Sequence, residues 1–297
     1  MKPEESPIPK GALPVVKAPE EIWTAIERQL DQPAPVSPMW RWAIAALFVA
    51  GALGLLWTTR QRAALEVVRV AGDIETSSRV AEGEWLETNG GSTARITVGS
   101  IGVVEVEPNS RVRVIVAKTQ EHRLELGRGA IEATISAPPR LFFVNTAATT
   151  AIDLGCAYRM ESDEAGNGLL RVKVGWVALV RENGTEVMVP AGASCRVRAK
   201  KGSGTPYFDD APAALLEALN RFDADGSGLT EILAAVRVRD TLTLWHVLAQ
   251  VRGADRERVF DRMAALSALP GGVARAQALA LDPQTLKHWR EELVWTW

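Results

Sequence analysis

The hydrophobic positions of this chain change rhythm twice along its length. Trp42–Thr59 is apolar almost throughout and carries no charge. Roughly 18 residues at a helical rise span about 27 Å, close to the hydrocarbon thickness of a bilayer. Trp40, Trp42 and Trp57 stand at its ends, where indole rings favour the lipid–water boundary, and Arg41, Arg60 and Arg62 close it on both sides. The pattern predicts one transmembrane helix within residues 39–60, with Arg41, Trp42, Trp57 and Arg60 as its anchors. A buried core helix is the alternative, but it would not need an aromatic and basic collar.

From Val67 to about Val197 the period becomes two. Val103–Glu107 and Arg111–Val116 alternate β-branched with charged residues, as half-buried strands do. Leu124–Leu126, Ala130–Ile135, Leu141–Val144, Leu169–Val174 and Trp176–Val180 repeat the theme. Asn183-Gly184 between Val177–Val180 and Val187–Val189 predicts a hairpin, because Asn-Gly accepts positive φ. Asn89-Gly90-Gly91 and Asn167-Gly168 predict two more. Short strands with frequent turns and no interleaved helices predict an antiparallel, jelly-roll-like sandwich over residues 61–198. Residues 199–210, rich in Gly, Ser and Lys, read as a flexible linker. Beyond Pro212 the period turns helical, with Leu215, Leu216, Leu219 and Phe222 on one face. Thr241–Val251, Arg256–Leu269 and Gln284–Leu293 follow, the last capped by Asp282-Pro283. The expected fold class is thus mainly β, with one N-terminal transmembrane helix and a C-terminal all-α appendage over residues 211–297.

Residues 1–38 form a short Pro-rich tail. Within it, Pro19-Glu20-Glu21 starts a helix, and Ile22, Trp23, Ile26 and Leu30 fall on one face. Such a helix can lie on a membrane surface or dock on a partner such as a sigma factor. Basic residues give no orientation: Lys2, Lys10, Lys17, Arg28 and Arg41 precede the apolar run, and Arg60, Arg62, Arg69 and Arg79 follow it.

Composition excludes several classes. The net charge is −2 with mixed signs, so no nucleic-acid face is expected. Two cysteines, Cys156 and Cys195, have no zinc spacing, and His122, His246 and His288 are far apart. No nucleophile elbow, phosphate loop or zinc-hydrolase pair occurs. No enzyme activity, cofactor or metal is therefore expected. Asp223, Asp225, Ser227 and Gly228 begin like an EF-hand loop, but Thr230 and Ala234 stand where an aliphatic and a bidentate glutamate belong. An acidic turn between helices explains the same residues.

From about Gly72 to Val197 the chain resembles the FecR domain, the envelope-facing domain of membrane-bound signal transducers. Gly83–Thr88 is similar to the family's G-x-x-L-x-T opening, and Pro108–Val112 to its p-x-s-x-v stretch. Leu124–Ala130 is similar to its L-x-x-G turn, and Phe143–Thr146 to its F-x-V-x-T. Asp153–Tyr158 sits where the family reads v-l-G-T-x-F. Val172–Val177 and Val189–Gly192 match its two closing glycine turns. The resemblance implies a jelly-roll-like fold outside the bacterial inner membrane, with a single pass and the N-terminus in the cytoplasm. Cys156 replaces the family's threonine, and Cys195 follows the last glycine turn. Together with the oxidising compartment, the resemblance implies a Cys156–Cys195 disulfide, with two independent buried thiols as the alternative. The longer cytoplasmic domain and receptor-binding C-terminus of the ferric-citrate transducers are not apparent. The expected function is non-enzymatic: inward signalling or anti-sigma-type regulation. The alternative is an envelope scaffold that binds another envelope protein and sends no signal inward.

Overall fold

A computed structural model describes residues 63–72, 74–181 and 184–297. The expected membrane helix with Arg41, Trp42, Trp57 and Arg60, and the tail with Ile22, Trp23, Ile26 and Leu30, lie outside the described residues. Among the described residues no helix is long and apolar enough to cross a membrane.

Fourteen strands cover the region of period two: β1 (Ala64–Ala71), β2 (Ile74–Ala81), β3 (Trp85–Glu87), β4 (Ser92–Val98), β5 (Gly102–Val106), β6 (Arg111–Lys118), β7 (Glu121–Ile135), β8 (Phe142–Asn145), β9 (Thr150–Asp153), β10 (Ala157–Ser162), β11 (Gly168–Val174), β12 (Trp176–Val180), β13 (Glu186–Pro190) and β14 (Ala193–Arg198). Alternation sets their faces. On β6, Val112 and Val114 are buried while Arg111 and Arg113 reach the surface side. Arg111 and Arg113 stack on the Trp85 ring, 4.1 and 4.7 Å from its centroid.

The strands form two sheets that share β7. One runs β2-β1-β4-β5-β7-β10-β11-β14, and the other β3-β6-β7-β8-β9-β12-β13. Pairing is antiparallel except between β7 and β8. The first half of β7 pairs with β6 and β8, the second half with β5 and β10. The expected Leu124–Ala130 turn is therefore a bend inside one strand that carries the chain from sheet to sheet. Gly129 makes the bend possible: its φ is +89°, and a Cβ there would lie 2.2 Å from Ser110 Oγ. The buried Ser110 hydroxyl accepts from Ala130 N at 2.9 Å and donates to Ala130 O at 3.1 Å, replacing ladder bonds lost at the bend. Between the sheets, Ile96, Val104, Leu124, Leu126, Ile131, Val144, Leu170 and Leu179 are fully enclosed.

β12 pairs antiparallel with β13, and β10 with β11, as the two expected hairpins require, while Asn183 lies outside the described residues. The Asn89-Gly90-Gly91 turn differs. It joins β3 in one sheet to β4 in the other, so it closes an edge of the sandwich and is no hairpin.

Residues 199–210 are not a free linker. They carry β15 (Gly202–Ser203) and β16 (Tyr207–Phe208), both paired with β14 and buried. Helices α1 (Ala213–Asp225), α2 (Leu229–Ala235), α3 (Thr241–Gln250), α4 (Gly253–Leu266), α5 (Arg275–Leu279) and α6 (Pro283–Leu293) follow. Asp282 caps α6 by accepting from Thr285 N at 2.8 Å. Trp289 is fully buried among the helices, with Phe260 and Trp245 edge-on at 5.3 and 5.9 Å. Residues 62–297 form one compact unit. Leu242 and Trp297 pack against the core of the β roll, and Thr243 Oγ1 donates to Pro206 O at 2.9 Å.

Cys156 and Cys195 are free thiols, which corrects the expected disulfide. Register explains it. Cys195 pairs with Leu170 on β11, and Leu170 pairs with Met160 on β10, four residues beyond Cys156. Two ladder spacings and four residues separate the cysteines, roughly 10 Å across and 13 Å along the sheet. A disulfide needs Cα atoms within about 7 Å.

Candidate functional site

Ala71 of β1 and Ile74 of β2 border a gap shared with Asn89 and Asn109, in the β3–β4 and β5–β6 turns. Ile74 to Arg79 are exposed on both faces of β2, so this end of the sheet has no partner layer among the described residues. The gap is a cleft of about 690 Å³ lined by Arg69, Thr76, Glu87, Asn89, Asn109 and Arg128. Asn109 also borders a second cleft of about 590 Å³, along Glu107, Arg159, Glu161 and Asn167. Together they make a trough lined by charges of both signs, polar groups and apolar side chains.

Its walls are held by local bonds. Thr88 Oγ1 donates to Glu107 O at 2.6 Å and accepts from Ser110 N at 3.0 Å. Asn109, at φ +58°, donates its N–H to Asn89 O at 3.2 Å. Arg159 grips Glu107 with Nε and Nη2 at 2.6 and 2.8 Å and also bonds Glu161. That grip holds the Glu107 carboxyl below its usual range. Arg128 pairs with Glu164 at 2.8 Å. The arrangement offers donors and acceptors on a fixed frame, suited to binding a polar ligand or peptide. It places no thiol or imidazole in the trough.

Cys156 lies elsewhere, in a buried cluster that sequence reasoning missed. Its Sγ donates to Asp153 Oδ2 at 2.7 Å, while Asp153 Oδ1 accepts from Gly155 N at 2.7 Å. Burial raises the Asp153 carboxyl and, with help from Asp153, pushes the thiol far up. The Tyr158 hydroxyl is buried without a hydrogen-bond partner among the described residues, and burial drives its titration well above the ordinary value. A thiol held protonated in such surroundings is unreactive. Cys195 is fully enclosed, and burial raises it likewise.

The remaining candidates separate. Asp223 is turned inward, accepting from Thr205 N and, at 2.7 Å, from Thr205 Oγ1. Asp225 is turned outward and accepts from Ser227 N at 2.8 Å. They serve the α1–α2 turn and different partners. Among the described residues no cluster of His, Cys, Asp or Glu could hold a metal ion. His122 is buried in β7, His246 Nε2 meets Met188 O at 3.2 Å, and His288 Nε2 meets Gly271 O at 3.1 Å. Burial pushes His246 down to about 4. Trp176 lies in the seam between roll and helices, 6.2 Å from Trp297. Trp297 Nε1 donates to Thr241 Oγ1 at 3.0 Å, whereas Trp295 is 86% exposed.

No family model matches the chain, and no curated protein matches it. Two crystal structures of a candidate anti-sigma factor from Parabacteroides distasonis are similar to it, each at 16% identity and a TM-score of 0.38. Each match covers 46% of this chain and 63% of the other, so the chain spans less than two thirds of that protein. A likeness of this extent says nothing of what this chain binds.

Proposed function

We propose that the protein is a non-enzymatic, single-pass inner-membrane transducer. In this reading Trp42–Thr59 holds the β roll and its helices on the periplasmic side. The roll meets a ligand or envelope protein at the trough, and the helix with Ile22, Trp23, Ile26 and Leu30 contacts a cytoplasmic partner, a sigma factor being the expected one. One observation carries the reading. The segments similar to the FecR domain supply the turns of one β roll: Pro108–Ser110 and Gly129 form the inter-sheet bend, and Asn89 and Asn109 frame the trough. The trough's fixed hydrogen-bonding frame and the suppressed Cys156 thiol support binding over catalysis.

Deleting residues 1–36 tests it. The account expects altered transcription of a dependent gene set, and recovery of a sigma factor with the intact detergent-solubilised protein but not with the truncated one. Unchanged transcription together with recovery of envelope proteins alone would favour the scaffold reading instead.

A further inference from the structure

A pocket of about 310 Å³ opens in the seam between the edge of the roll and the C-terminal end of α1. Arg181, Arg198 and Lys201 line it, with Asp223, Gln250 and the backbone of 202–204. We propose that this pocket binds a small phosphate-bearing anion. The inference is independent of the transducer reading.

Many of the described cations meet carboxylates: Arg113 meets Glu125, Arg159 meets Glu107, and Arg237 meets Asp240. Among the described residues Arg181, Arg198 and Lys201 have no carboxylate within ion-pair distance. Asp223, the one acid in the pocket wall, is committed to both donors of Thr205. Burial raises its carboxyl, opposed by its bonds to Thr205 and by the nearby charges of Arg198 and Arg181. Three cations thus line one small volume against a single lining carboxylate, Asp223, an excess that an anion would balance.

Each cation is anchored by neutral carbonyls, which fix its position without cancelling its charge. Arg181 donates from Nε to Ser203 O at 2.9 Å and from Nη2 to Gly204 O at 3.2 Å, leaving Nη1 without a partner among the described residues. Arg198 Nη2 donates to Asn220 O and Oδ1, both at 3.2 Å, and Lys201 Nζ to Ala224 O. Carbonyls at the end of α1 carry the negative pole of that helix, and one cation there would satisfy it. Arg198 and Lys201 both meet it, and Arg181 adds a third cation beside them. Two guanidinium groups and an ammonium around a common space suit a tetrahedral oxyanion, which accepts bonds from several directions. An occupant would tie the β14–β15 edge to α1 and so lock roll and helices together.

Titration of pyrophosphate into the full-length detergent-solubilised protein, read by calorimetry and thermal melting, tests the site. The expected result is saturable one-to-one binding with a raised melting temperature. Lys201→Gln, an exposed position that leaves the core intact, should weaken binding about tenfold, and Arg181→Gln at least as much. Lys287→Gln, on α6, should leave it unchanged. Flotation of nanodiscs containing the protein with phosphatidylglycerol vesicles, compared with phosphatidylcholine, separates the sources. Lys201-dependent capture by the former without pyrophosphate binding would assign the anion to a lipid headgroup, and pyrophosphate binding without capture to a free phosphate compound. Absence of both, or equal affinity in the wild type and the Lys201→Gln protein, would overturn the proposal.

Discussion

The β roll and the helical module fill their cores with different side chains. The roll spreads its core over many modest side chains, with Val, Leu and Ile alternating inward along strands of two sheets. The helices also bury many aliphatics but add one large indole, Trp289, set against Trp245 and Phe260. Losing one aliphatic of the roll opens a small cavity, whereas losing Trp289 opens a large one. The seam follows the second pattern, with Trp297 wedged between Trp176 and Trp245. The difference teaches where each region is vulnerable: the roll at its backbone bends, the helices at their aromatic centre.

Trp289→Ala should therefore have the largest effect, about 3–5 kcal/mol, felt mainly in the helices. Circular dichroism should lose helical signal before strand signal on heating. A single unchanged cooperative transition would break the comparison. Gly129→Ala comes next and strikes the roll. The positive φ and the approach to Ser110 should together cost about 2–4 kcal/mol, read as a lower denaturant midpoint.

The seam should respond to acid through His246. Its folded value lies near 4, below the ordinary 6.5, so the ring is neutral in the fold. Its contribution is full above about pH 6.5 and is lost as pH falls toward about 4. Asp153 and Asp223, raised by burial, act with the opposite sign, their contribution fading as pH rises through their folded values. The difference between the wild-type and His246→Gln melting curves isolates the histidine and should vanish in acid. A difference constant from pH 7 to pH 4 would remove His246 from the account. Smaller still, Cys156 and Cys195 should resist alkylation in the folded protein and react fully once denatured, without reductant. Arg95→Ala, which breaks only the exposed Arg95–Glu105 pair, should leave the midpoint unmoved.

Periodicity made most of the strands legible, because a buried face writes itself as alternation, and Arg111–Val116 is the clearest case. It could not reveal that Leu124–Leu126 and Ala130–Ile135 are one strand, since Gly127 and Gly129 carry the composition of a turn while serving as a bend. The same bias turned residues 199–210 into a linker, although β15 and β16, of two residues each, lie buried against β14. Helices α1, α3, α4 and α6 followed from their apolar faces, whereas α2 and α5, of seven and five residues, are too short to show a period. The disulfide failed because compartment and motif say nothing of register, and β11 lies between the two cysteines. The trough and the seam pocket were invisible for a related reason: Arg69 and Arg128, or Arg181, Arg198 and Lys201, meet only after the sheets close.

The central claim is that one membrane helix holds the roll and its helices outside the cytoplasm. Alkaline phosphatase fused after Trp297, compared with a fusion after Pro38, tests it most directly. The account predicts an active enzyme in the first fusion and an inactive one in the second. Activity only in the second, or in neither with both fusions recovered as soluble protein, would contradict it.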